Sequence, residues 1–227
     1  MKQSGGTEDQ KRRAGESAAD AVEDGAVVGL GTGSTAAAAI RELGRRVDAG
    51  FDVHGVPTSH GARRLAREAG IPLTTLEEAV PDVAIDGADQ VADGHLLKGG
   101  GAAHAREKLV DTAADRFLVV VDASKRSDEL DLPVPLEVLS DAVPVVERRI
   151  EELGGEPRLR DAERKDGPVV TDNGNLVVDC AFGAIDDPAS LAARLAGIPG
   201  VVEHGLFVDL ADEIHVGTGD GVEILDP

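Results

Sequence analysis

The sequence predicts an α/β protein in two parts, a parallel-sheet domain joined to a smaller α+β domain. Three observations carry the prediction. Over roughly the first 130 residues, short apolar runs alternate with helical patterns, as chained βα units require. The order then becomes strand, helix, strand, strand, helix, strand, the split βαβ arrangement of a ferredoxin-like unit. The closing EIHVGTGDGVEIL offers two short strands, expected to return to the first sheet. The expected domains are therefore 1–130 with 208–227, and 131–207.

The elements follow in order. Residues 9–23 have a helical pattern, and AVVGLG (26–31) reads as a buried strand. STAAAAIRELGRR (34–46) is Ala-rich and helical, with Ser34 or Thr35 as the expected N-cap. DVHGVP (52–57) is a second strand, and ARRLAREAG (62–70) a helix closed by Gly70. IPLTTL is read as a third strand and DVAIDGAD (82–89) as a fourth. Residues 102–113 form a helix after KGGG, followed by the apolar strand RFLVVVD (116–122). In the second part, PLEVL (135–139), EPRLRDAE, VVTDNGNLVVDC and GVVEHGLF (200–207) are strands. AVPVVERRIEELGG (142–155) and DPASLAARLAG (187–197) are helices, and Asn173-Gly174 supplies a turn.

Composition narrows the function classes. The net charge of −20 opposes nonspecific nucleic-acid binding, because a phosphate backbone would be repelled. Of the 23 basic residues six are Lys (2, 11, 98, 108, 125 and 165) and the rest Arg. An acidic surface poor in lysine suits very high salt, where screening removes self-repulsion. No apolar run approaches the ~20 residues of a membrane span. The opening MKQSGGTEDQ is polar, so a frayed lead-in is expected and not a signal peptide. The single Cys180 lies in the apolar run NLVVDCAF, which predicts a buried strand thiol in a reducing cytoplasm rather than a nucleophile.

Three clusters could carry chemistry. Gly31-Thr32-Gly33-Ser34-Thr35-Ala36 fits G-x-G-x-x-[GA] where a strand becomes a helix, so it could hold a phosphate, hold a dinucleotide or simply turn. A dinucleotide site wants an acid at the end of the second strand, and that strand runs into Val56-Pro57-Thr58-Ser59-His60 with no carboxylate. The hydroxyls of Thr32, Ser34 and Thr35 suit a terminal phosphate better than a pyrophosphate. The second cluster, Asp86-Gly87-Ala88-Asp89, ends an apolar strand on the side where open α/β sheets bind ligands, and reads equally as an Asp-Gly turn. No persuasive metal-ligand spacing accompanies it. The third is Lys98-Gly99-Gly100-Gly101, running into a helix with His104 as a bystander and Glu107 expected in its second turn. A carboxylate near a helix's positive end is a candidate general base, although most Glu-Lys pairs such as Glu107-Lys108 lie on solvated faces.

Together GTGST (31–35), DGAD (86–89), KGGG…REK (98–108), VDASK (121–125), PLEV (135–138), TDNGN (171–175) and PGVVEHGLF (199–207) resemble, in order and spacing, the ribose-5-phosphate isomerase A family. The resemblance implies a Rossmann-like domain with a smaller α+β domain. It also implies aldose–ketose interconversion of a sugar phosphate through an enediolate, without metal or nucleotide cofactor. Glu107 matches the family's proton-shuttling glutamate, and Lys98 would stabilise the enediolate oxygen. Asp86 and Asp89 would hold sugar hydroxyls, one of them assisting ring opening. Thr32, Gly33, Ser34 and Thr35, with Gly87, Ala88, Gly99, Gly100 and Gly101, would line the substrate site. Lys125 matches a substrate-binding lysine, and Lys11 or its neighbour Arg12 an N-terminal cation. A homodimer or homotetramer is implied, with the small domain as a contact, and a cytoplasmic setting. An NAD(P)-dependent oxidoreductase, a related sugar-phosphate isomerase or lactonase, and a non-catalytic sugar-phosphate sensor are the rival classes.

Overall fold

Five parallel strands and one antiparallel strand form the main sheet, and its core explains why the apolar runs are so continuous. The computed structural model describes residues 6–227. The expected lead-in therefore falls partly outside the described residues. Helix α1 (Glu8–Asp20) already begins within it, behind a Thr7–Gln10 capping box. The described chain divides into two compact units. The larger holds residues 6–88, Arg106–Arg126 and Asp209–Pro227; the smaller holds Asp89–Ala105 and Ser127–Val208. The segment 89–105, assigned to the first domain from its sequence, thus groups with the second unit.

In the larger unit the strands are β1 (Ala26–Leu30), β2 (Val53–Pro57), β3 (Val83–Asp86), β6 (Arg116–Asp122), β12 (Glu213–Gly217) and β13 (Val222–Leu225). Their spatial order is β13-β12-β6-β3-β1-β2, and only β13 runs antiparallel to its neighbour. Both faces are covered, so strands such as Phe117–Val121 are apolar at every position, as in buried parallel sheets. Val28, Leu30, Ile40, Leu43, Ile85 and Leu118 form the centre of the core. Each contributes about 1.5–3 kcal/mol by leaving water, which outweighs helix propensity in fixing the layers. Helices α2 (Ser34–Asp48) and α3 (His60–Glu68) complete the βα units. IPLTTL is not a strand: it makes a single bridge, Gly55 to Leu73. The closing strands do rejoin this sheet, β12 against β6.

The smaller unit contains β7 (Val134–Val138), α5 (Val143–Glu152), β8 (Glu156–Leu159), β9 (Leu176–Ala181), α6 (Pro188–Ala196) and β10 (Val201–His204). Their antiparallel order, β10-β7-β9-β8, is that of a ferredoxin-like sheet. Leu136, Val138, Val146, Ile150, Val178 and Leu195 fill its core. A second sheet in the same unit, absent from the sequence reading, joins β4 (Gln90–Ala92), β5 (His95–Leu97) and β11 (Leu206–Phe207). No helix among the described residues is long and apolar enough to cross a membrane.

Candidate functional site

Strand order reverses beside β1, which pairs with β2 on one side and β3 on the other. Ligands of open α/β sheets bind at the carboxyl ends of such strands, and the first two motifs of the sequence sit there. After β1, Gly31 and Thr32 lead to Gly33, whose φ of 118° belongs to glycine. Gly33 is the N-cap of α2 and supplies no side-chain cap, correcting the expectation that Ser34 or Thr35 caps the helix. Both instead occupy its first turn, Ser34 exposed and Thr35 buried. The first-turn N–H groups meet no capping side chain at Gly33, the arrangement that receives an anion at a helix amino end.

After β3 the fully buried Asp86 accepts the N–H of Thr32 at 2.9 Å and of its own neighbour Gly87 at 2.7 Å. Asp86 thus ties the GTGST turn to the DGAD turn. A Cβ at Gly31 would lie 2.3 Å from the Asp86 carboxylate, so the close approach requires glycine there. Gly31→Ala should therefore be overpacked and cost about 1–3 kcal/mol of stability. A thermal midpoint equal to that of the parent would remove this account. The Thr32 hydroxyl also has protein partners, Thr58 Oγ1 at 3.0 Å and Ser59 Oγ at 2.7 Å. Ser59 in turn caps α3 through Ala62 N–H at 3.0 Å. Thr58 and Ser59, the polar pair that ends the second strand in place of a carboxylate, belong to none of the three motifs, yet both bond Thr32.

Helix α4 (His104–Ala113) carries Glu107 in its first turn, one turn earlier than the sequence spacing suggested. The helix is seated on β1 where Gly29 is flush with it: a Cβ there would come within 2.8 Å of Val110 Cγ1. Glu107 lies one turn toward the amino end from Val110 and is 5% exposed, a carboxyl group largely withdrawn from water beside the helix's positive end. Lys125 belongs to a short 3-10 turn after β6, capped by the buried Asp122. Lys11 is 15% exposed and pairs with Glu8 at 3.2 Å. Arg12 is committed to Asp9 and Glu16 on the exposed side of α1. Its hydrogen bond to Asp9, together with the charge of Glu16, raises its pKa.

In the smaller unit, Lys98 is 2% exposed. Its N–H donates to Gly205 O at 2.8 Å, and its ammonium stands 5.2 Å from the Phe207 ring centroid. Asp89 N–H bonds Leu97 O at 2.8 Å, and Asp89 Oδ2 accepts Gly100 N–H at 2.6 Å. Within this unit, then, the second carboxylate of DGAD and the KGGG loop meet directly. Gly101 lies exposed beyond them, and the Gly87–Ala88 pair belongs to the larger unit. His104 is fully buried, its Nε2 3.4 Å from Glu203 O.

Burial pushes the Cys180 thiol well above its usual range, with the nearby Asp179 and Glu147 charges adding to it. A thiolate nucleophile at this position is thereby opposed. Among the described residues no group of His, Cys, Asp and Glu has the arrangement of a metal site.

The sequence model for ribose 5-phosphate isomerase A (phosphoriboisomerase A) matches residues 54–221. Ribose-5-phosphate isomerase A of Natronomonas pharaonis is 75% identical over 224 residues, spanning 99% of this chain and 100% of that protein. The Haloarcula marismortui protein of the same name is 66% identical, over 99% and 98%. Both come from halophilic archaea, in keeping with the acidic, lysine-poor composition. Among solved structures, ribose 5-phosphate isomerase A of Methanocaldococcus jannaschii superposes with a TM-score of 0.95 at 46% identity, covering 98% of this chain and all of that one. A D-ribose-5-phosphate isomerase in complex with phospho-erythronic acid gives a TM-score of 0.95 at 42% identity, with the same coverage.

Proposed function

The chain belongs to the ribose 5-phosphate isomerase A family, and from that premise we infer that it interconverts D-ribose 5-phosphate and D-ribulose 5-phosphate. The observation that carries the reading is Glu107, a buried carboxylate in the first turn of a helix held flush against the switch-point strand.

In the open-chain aldose, Glu107 takes the C2 proton while the C2 electrons form the C1–C2 double bond and the C1 carbonyl becomes an oxyanion. The proton then returns to C1, the C2 hydroxyl proton passes to the C1 oxygen, the C2 oxygen becomes the carbonyl, and the ketose results. One carboxyl group serves both steps, as in other enzymes that move a proton beside a carbonyl. Lys98 supplies preorganised positive charge to the enediolate oxygen. Asp86 and Asp89 hold sugar hydroxyls and one assists ring opening. The first turn of α2, with Ser34 and Thr35, takes the phosphate, and Lys11 and Lys125 add positive charge in a chain whose net charge is −20. Gly33, Gly87, Ala88, Gly99, Gly100 and Gly101 allow close backbone approach to the sugar.

The relative bound to phospho-erythronic acid supports the class of substrate. A homodimer or homotetramer contacting through the small unit is part of this reading. Leu139, Val145, Val170 and Val202 are exposed apolar side chains of that unit and support it. A cytoplasmic setting fits the single, buried thiol of Cys180.

The test is the reaction itself. Ribose 5-phosphate incubated with the purified protein in heavy water and molar KCl should form ribulose 5-phosphate and acquire deuterium at C2 of the recovered aldose. Absence of both, or greater turnover of an amino-sugar phosphate or a phosphogluconolactone, would overturn the assignment. A nicotinamide cofactor that bound tightly by calorimetry would favour the oxidoreductase instead.

A further inference from the structure

Two features of the smaller unit have no part in the reaction as described: Arg160, directly after β8, and the TDNGN turn at 171–175. Arg160 N–H donates to Val177 O at 2.8 Å, and Val169 N–H donates to Arg160 O at 2.8 Å, so its backbone is fixed on both sides. Its Nε donates to Asp179 Oδ2 at 2.8 Å and its Nη2 to the other oxygen of the same carboxylate. That leaves Nη1, which donates to Gly99 O at 2.9 Å and, more weakly, to Gly100 O at 3.4 Å. Asp89 takes the Gly100 N–H of the same loop at 2.6 Å. The glycine loop is thus gripped through its carbonyls by a cation and through an amide by an anion.

The TDNGN turn anchors the other end of this arrangement. Thr171 Oγ1, Asn173 Nδ2 and Asn175 Nδ2 all donate to Glu137 Oε1, at 3.0, 2.9 and 2.7 Å. Glu137 is fully buried on β7, and the turn feeds directly into β9, which carries Asp179. Three consecutive glycines have more backbone freedom to lose than any other tripeptide. Such a loop keeps one shape only if something outside it supplies the restraint.

We propose that Arg160, aimed by Asp179, is a positioning residue for the isomerisation: by clamping the Gly99 and Gly100 carbonyls it sets the direction of the adjoining Lys98. The inference rests on the enediolate-stabilising role assigned to Lys98. Misplacement of a catalytic group by about 1 Å can cost on the order of 10²-fold in rate.

Four variants test it, each assayed with ribose 5-phosphate and followed by thermal unfolding. They are Arg160→Lys, Asp179→Asn, the exchange Arg160→Asp with Asp179→Arg, and Lys98→Met as reference. Arg160→Lys keeps the charge but not the fork, and should lower kcat by roughly 10–100-fold with KM changed less than about threefold. The exchange restores an ion pair, so it should recover stability lost in Asp179→Asn while kcat stays low, because an aspartate at 160 donates nothing to the loop carbonyls. Asp179→Asn preserves size, and should lower kcat by about 3–10-fold through a loosened guanidinium. It decides the matter should the Arg160 variants not fold. The proposal is overturned if the exchange returns kcat to the parental level, or if Arg160→Lys and Asp179→Asn keep kcat within about twofold while Lys98→Met loses it. If Lys98→Met itself keeps its kcat, the role of Lys98 falls, and this inference with it.

Discussion

Glu107→Gln is expected to reduce kcat by about 10²–10⁴-fold, the usual contribution of a positioned general base, while KM stays within about threefold. The amide has the shape of the carboxyl group but cannot accept the C2 proton. With Glu107 only 5% exposed, bulk water is poorly placed to substitute for it. Deuterium entry at C2 in heavy water should vanish together with turnover, since one group serves both. Retained exchange would assign the proton to another residue and undo the proposed mechanism at its centre.

Lys98→Met should lower kcat by about 10²–10³-fold, the range measured when one donor to a developing oxyanion is removed. Methionine keeps the length and the apolar stem of a side chain that is 2% exposed and stacked near Phe207, so the variant should fold with a thermal midpoint close to the parent's. A rise in KM with kcat unchanged would make Lys98 a binding group for the ground state and move the enediolate stabilisation elsewhere.

Much of the fold could be read from periodicity because its central strands are buried on both faces. AVVGL, VAI and FLVVV are unbroken apolar runs, which a sheet covered on both sides demands. The βαββαβ order of the smaller unit likewise announced its sheet. The strands β4 and β5, of three residues each, are too short to show a period of two, and the run GVVEHGLF, read as one strand, divides into β10 and β11 in different sheets. IPLTTL failed in the opposite sense: Ile71 is buried and the run is apolar enough for a strand, yet only one bridge forms. At the candidate site, motif spacing located the loops but not the groups that hold them. Spacing pointed to Asp86 but did not show that its Oδ1 also ties two backbone amides. Arg160 gave no sign at all, because its contact with Gly99 spans 61 residues and no local pattern encodes it.

The place of β12 in the main sheet has a consequence for how the polypeptide is made. β6 is complete at Asp122, but its outer partner is residues 213–217, near the end of the chain. Helix α1, made well before β6, packs against that same late strand: Gln10 lies beside Gly217, and Ser17 Oγ is 2.9 Å from His215 Nδ1. During synthesis, then, β6 presents an unpaired apolar edge and α1 lacks part of its seat while residues 127–208 of the smaller unit are being translated. Edges of that kind recruit other chains until their own partner arrives. The sheet therefore closes only once β12 has been made, and α1 gains its full seat at the same moment.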